Sequence, residues 1–231
     1  MLKKFALIAL VLSLCPAMLK ADPFIIDDFT HDTMYKEVKV SDGLNSNIQA
    51  SYKHTADGKY ADADVTLKAF KTGAAPWFRV STSIYNGKFS ASSDADVKGA
   101  WSLYYENDYI EDLANGTSNN NTMRITFESC DKPLESFKLT LKDNAGNLNT
   151  KILSNAIPDQ AGYNYDFRID DMGVDLSDVA SISLNFEGDY ASDFSISSIS
   201  TIHTPDVPEP ATIALLCAGG AAILARKRKR S

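Results

Sequence analysis

Almost everywhere between Asp22 and Asp206 the chain alternates apolar and polar residues with a period of two, and this limits its possible folds more than any other feature. Met123, Ile125 and Phe127 interleave with Arg124, Thr126 and Glu128. Phe137, Leu139 and Leu141 interleave with Lys138, Thr140 and Lys142, and Ile182, Leu184 and Phe186 with Ser181, Ser183 and Asn185. Tyr163, Tyr165, Phe167 and Ile169 repeat the pattern, and shorter runs occur at Val38, Ile48 to Tyr52, Val65 to Ala69, Phe78 to Val80 and Trp101 to Tyr105. Successive side chains of a strand point to opposite faces of its sheet, so each run predicts a half-buried strand. Trp101, Leu103 and Tyr105 then share the core face, and Tyr104 points the other way. Turn formers punctuate the runs: Asp42-Gly43, Asp57-Gly58, Asn86-Gly87, Asn115-Gly116, the segment Asp143 to Asn147, and Glu187-Gly188-Asp189. No segment of helical length carries apolar residues at helical spacing; Asp175 to Val179 supplies one turn at most. Roughly ten strands spaced in this way predict an all-β, antiparallel two-sheet sandwich of jelly-roll type.

That sandwich is expected to occupy residues 22–203 as one domain, flanked by segments of different composition. Residues 1–21 have the layout of a signal peptide: Lys3 and Lys4, an apolar run from Phe5 to Leu14, and a cleavage site after Ala21, with Ala17 as the alternative. Recognition by the Sec translocon and a signal peptidase follows from that layout. Residues 204–210 read as a Pro-rich linker containing Pro208-Glu209-Pro210, and residues 211–231 as a short apolar helix with a basic end. The apolar part, Ala211 to Ala225, would span about 22 Å as a helix. A bilayer core is about 30 Å thick, so the span is short. Arg226, Lys227, Arg228, Lys229 and Arg230 form a stop-transfer cluster that holds the terminus on the cytoplasmic side and leaves the body outside.

Three parts in this order, Pro208-Glu209-Pro210, an apolar stretch and a basic end, resemble the PEP-CTERM sorting signal of bacterial secreted proteins. The resemblance implies an exosortase as partner, a transient membrane hold, and a final place at the cell surface or outside the cell, in association with exopolysaccharide. A second resemblance concerns the body. Phe24-Ile25-Ile26-Asp27-Asp28-Phe29 and Ser181 to Ile202 look like the first and last strands of galactose-binding-like, carbohydrate-binding jelly rolls. It implies that the two terminal strands lie beside each other, and it makes Asp27 and Asp28 candidate ligands of a structural calcium ion. Calcium takes 6–8 oxygens in typical sites, and solvated loop acids are the competing reading of such a pair.

Charge and chemistry restrict function further. All 30 Asp and Glu lie between Asp22 and Glu209, whereas eight of the 23 Lys and Arg lie in the two ends. The segment between them has 15 basic against 30 acidic residues, a net of −15. Such a body is no partner for nucleic acid, which is bound by neutralising phosphates. The three cysteines fall one in each segment, so the mature body would hold Cys130 alone and no internal disulfide. Its three histidines have no metal-ligand spacing, and there is no nucleophile elbow, phosphate loop or Cys-x-x-Cys. No catalytic residue is assigned. The sequence therefore supports an exported, non-catalytic envelope or matrix protein, with a carbohydrate-binding module and a small polysaccharide-active enzyme as the rival readings. Among the aromatics, Trp101 and Tyr105 are expected in the core, and Trp77, in Ala75-Pro76-Trp77, is the candidate for stacking on a sugar ring.

Overall fold

The computed structural model describes residues 22–39, 47–56, 59–71, 78–106, 110–116, 119–153 and 162–205. Its alternating runs are strands. In chain order they are β1 (Phe24–Asp27), β2 (Met34–Lys39), β3 (Asn47–Ala56), β4 (Lys59–Lys71), β5 (Arg79–Ile84), β6 (Phe89–Ser93) and β7 (Val97–Tyr105). There follow β8 (Thr122–Cys130), β9 (Ser136–Asp143), β10 (Leu148–Leu153), β11 (Tyr163–Arg168), β12 (Val179–Glu187) and β13 (Asp193–Ile202). A short 3-10 turn at Asp170–Met172 ends on Gly173 in the left-handed conformation. The signal helix and the C-terminal helix expected from the sequence lie outside the described residues.

The strands form two antiparallel sheets. One has seven strands, in the order β11-β8-β13-β6-β5-β2 with β1 added to β13; the other has six, β10-β9-β12-β7-β4-β3. The chain crosses repeatedly between them, which makes a sandwich whose inner faces share one core. Strand β13 has a special place. It pairs along its whole length with β8, and with β6 and β1 over its first and second halves. The pairing of β1 with β13 puts the first and last strands side by side, as the jelly-roll resemblance implied.

Period two translates directly into burial. In β7 the pattern is unbroken: Val97, Trp101, Leu103 and Tyr105 are buried, and Lys98, Ala100, Ser102 and Tyr104 face outward. Around Phe194 of β13 the core is aromatic, with ring centroids at 5.3 Å to Trp101 and Phe186 and 6.1 Å to Phe127. The Trp101 contact is edge-on, the geometry a ring quadrupole favours. Trp101 also ties the two layers together, because its indole N–H donates to the Ser81 carbonyl of the opposite sheet at 3.0 Å. Cys130, at the end of β8, is a buried free thiol, so packing without a cross-link holds the described body together.

The indole needs room, and two glycines give it. Gly99 precedes Trp101 by two residues on the same face, and Gly188 donates its N–H to the Gly99 carbonyl at 3.0 Å. A Cβ on Gly99 would sit 2.4 Å from the indole ring, well inside van der Waals contact. Trp101 cannot move away without losing its bond to Ser81. Gly99→Ala is therefore expected to destabilise the fold by about 1–3 kcal/mol, the usual range for an overpacked core, as a lower melting temperature in thermal unfolding.

Candidate functional site

The segment Phe24 to Phe29 at the start of the body brings Asp27 into the core. A bulge between Ile25 and Asp27 turns the Asp27 side chain between the layers. There Tyr52 of β3 donates its hydroxyl to Oδ2 at 2.7 Å and Tyr105 of β7 donates at 3.0 Å, while Oδ1 accepts the Phe29 N–H at 2.8 Å. The carboxyl thus joins the first strand of one sheet to two strands of the other. Burial pushes its pKa up to about 7; the bonds from Tyr52, Phe29 and Tyr105 oppose the shift, and the charge of Asp28 adds slightly to it. Burial likewise raises the Tyr52 and Tyr105 hydroxyls well above their ordinary value, so both remain donors. Nothing in the residue types of Phe24 to Phe29 singled out this carboxyl as one of raised pKa. The available signal was its position between Ile26 and Phe29.

Asp28, one residue on, is half-buried, and its Oδ1 accepts from the backbone N–H and hydroxyl of Thr30 at 3.1 and 2.6 Å. The two carboxylates thus hold different partners. Among the described residues no group of three or more His, Cys, Asp or Glu side chains converges as a metal cage.

The outer faces of the sheets differ in what they offer a ligand. On the six-stranded sheet, paired positions lay out polar rows such as Ser51–Asp64–Tyr104–Ser183–Thr140–Thr150. A small groove of about 100 Å³ runs over Ala100 and Ser102 between Lys68, Asn185 and Glu187. Tyr104 is half-buried in this face, and its hydroxyl donates to Glu106 at 2.8 Å. Among the described residues the exposed large apolar side chains here are aliphatic, Leu148 and Ile152 at the β10 edge.

On the seven-stranded sheet the β2 edge presents two open rings. Tyr35 is 56% and Tyr85 63% exposed. Tyr35 pairs with Ser83, and Tyr85 lies two residues beyond Ser83, so both belong to the outer face at a diagonal separation of about 7–8 Å. The small partner Ser83 leaves the Tyr35 ring uncovered. Thr33, Met34, Tyr35, Ser83, Ile84 and Tyr85 line an open depression of about 440 Å³. Beside it is a charged network. Tyr35 donates its hydroxyl to Glu37 Oε2 at 2.8 Å, and Arg79 Nη1 donates to the same oxygen at 3.2 Å. The Tyr35 bond holds Glu37 below the usual carboxylate range and raises the Tyr35 hydroxyl, so each keeps its role near neutral pH. Tyr190, also exposed, carries the Lys98 ammonium 5.0 Å from its ring centroid.

Sequence reasoning did not find Tyr35 or Tyr85, because their openness depends on a small residue across the strand pair. Trp77, chosen from sequence for sugar stacking, lies outside the described residues, as do the tail residues Pro208, Glu209 and Pro210 and the basic cluster Arg226 to Arg230. Among the described residues no helix is long and apolar enough to cross a membrane.

Comparison with known proteins supports the first resemblance. Residues 206–229 carry a PEP-CTERM protein-sorting motif, which indicates export and sorting through the C-terminal region. Similar solved structures include a family 11 carbohydrate-binding module of the cellulase Lic26A-Cel5E from Clostridium thermocellum, at 16% identity and a TM-score of 0.39 over 81% of this chain and 98% of that one. An exo-β-agarase matches at 13% identity and TM-score 0.41 over 80% of this chain and 26% of its own. A structure named PfGH50B matches at 12% and 0.43 over 58% and 22%. The chain thus spans about a quarter or less of those two longer proteins. No curated protein matches it.

The buried Asp27 generates a pH dependence with a definite sign. Its folded pKa lies above its unfolded one, so the folded state binds the proton more tightly and stability declines as pH rises towards 7. At about 1.4 kcal/mol per unit, the loss across the window is on the order of 4 kcal/mol. Asp175 and Asp189, whose pKa values are lowered, act at lower pH and in the opposite direction. Melting temperature is expected to fall between pH 5 and pH 8, and Asp27→Asn, which keeps the shape and removes the charge, should flatten that slope.

Proposed function

We propose that this is an exported, non-catalytic polysaccharide-binding protein that an exosortase sorts through its PEP-CTERM tail to the cell surface or the extracellular matrix. One observation supports the binding reading above the others: two exposed tyrosine rings on one sheet face, beside a fixed Glu37–Arg79 pair. A pyranose ring has apolar C–H faces and a rim of hydroxyls. The first stack on the negative face of an aromatic ring, and the second exchange hydrogen bonds with a carboxylate and a guanidinium. Two rings at diagonal spacing suit successive residues of a chain, and the open depression suits an internal stretch of polymer. The net −15 of the region between the basic ends disfavours polyanions, so the ligand class is an uncharged polysaccharide.

Export by the Sec translocon with signal-peptidase cleavage, and handling by an exosortase, complete the reading. The apolar stretch is short for a permanent span, and a hold that ends in cleavage or transfer accommodates it better. Calcium at Asp27 and Asp28 remains a proposal of the jelly-roll resemblance alone.

In affinity electrophoresis, the secreted protein should be retarded by at least one neutral polysaccharide, and Tyr35→Ala with Tyr85→Ala should weaken this at least about ten-fold, one 1.4 kcal/mol step. Equal retardation of the double variant, or none by any glycan, would remove the binding reading. Deleting residues 206–231 should change where the protein ends up in its own cell, which fractionation and immunoblotting measure; unchanged distribution would remove the sorting reading.

A further inference from the structure

Two buried acceptor atoms at the start of the body lack a donor: Oδ1 of Asp112 and Oδ1 of Asn120. Buried polar atoms are nearly always satisfied, so an orphan asks for an explanation. Both belong to one cluster. Asn120 is 2% exposed, and its Nδ2 donates to the Thr201 carbonyl at 3.1 Å and the Asp22 carbonyl at 3.4 Å. Asn115 Nδ2 donates to the same Asp22 carbonyl at 3.2 Å. Asp112 closes the turn that carries Asn115: its carbonyl accepts the Asn115 N–H at 3.2 Å, and its Oδ2 accepts the Gly116 N–H at 2.7 Å. Asn115 and Gly116 both take positive φ in this turn, which fixes the side chain toward Asp22. The cluster thus grips one residue, Asp22, and keeps two acceptors over.

Asp22 is also the residue that cleavage after Ala21 would make the first of the mature protein. We propose that Asp112, Asn115 and Asn120 form a receptor for the new N-terminus, in which the two orphan oxygens accept from the α-ammonium of Asp22; this rests on the export reading above. In the cleavage, water adds across the Ala21–Asp22 peptide bond. The C–N bond breaks, Ala21 leaves as a carboxylate, and the Asp22 nitrogen becomes a protonated amine. An amide nitrogen has one N–H to give, whereas an ammonium has three donors and a charge that complements Asp112. Leader removal therefore supplies what the precursor lacks. The clamp fits the cut after Ala21 and not the alternative, since cleavage after Ala17 would leave the amine four residues away from it.

The full chain, expressed in an exporting bacterium, tests this. Mass spectrometry of the mature protein should give Asp22 as its first residue. Its α-amine should react with an acylating reagent near pH 7 about ten-fold more slowly in the native protein than in urea, the effect of a pKa raised by one unit. Asp112→Asn should restore the unfolded rate while circular dichroism shows the fold retained, and so should an Ala inserted between Ala21 and Asp22 that remains on the mature protein. An amine as reactive in the native state as in urea, or one unaffected by both changes, would overturn the proposal. A mature start at another residue would overturn it and leave export standing, and a chain that stays inside the cell with its leader uncut would overturn both.

Discussion

The inner faces of two sheets share one core, and every outward-facing group depends on that shared burial. Phe194 lies at its centre, in ring contact with Trp101 and Phe186 of the opposite sheet and with Phe127 and Phe89 of its own. With Cys130 the free cysteine of the described residues, no disulfide supplements this packing there. Burial of apolar area, at about 25 cal/mol per Å², is left as the dominant favourable term. Cross-sheet polar bonds then fix how the layers sit: Trp101 to Ser81 at one place, and Asp27 to Tyr52 and Tyr105 at another.

These two bonds differ in cost. An indole N–H has only to find an acceptor, and a backbone carbonyl serves. A carboxyl group held among tyrosines must lose either its water or its charge, and its raised pKa records that conflict. The same three groups fasten the first strand, β1, to the far sheet. Asp22, two residues before β1, is fastened in turn by Asn115 and Asn120. The start of the body is thus tied at two points, close to where the leader would be removed.

Much of the fold was legible because period two is a local property. Residues such as Leu103 and Tyr104 show their opposite faces in the sequence itself, and the turn residues Asn86-Gly87 and Asn115-Gly116 take the positive φ that those residue types accommodate. The pairing of β1 with β13 was legible only through a resemblance, since no local rule joins residues so far apart. The surface was harder. Tyr35 looks like any outward residue of an edge strand until Ser83 is seen opposite it, and Asp27 looks like a loop acid until the bulge turns it inward. Both depend on what another strand contributes. The tail was legible in full as a motif because its meaning is compositional: a proline-bracketed acid, an apolar stretch and a run of positive charge.

On the proposed reading tail and body divide the work, with the first addressing the protein and the second meeting the polymer. The most direct test is hydroxyl-radical footprinting of the secreted protein with and without a retarding neutral polysaccharide. Binding at the β2 edge should protect Tyr35 and Tyr85 while leaving Leu148 and Ile152 as reactive as before. Protection confined to the six-stranded sheet, around Tyr104, or no protection under conditions of retardation, would contradict it.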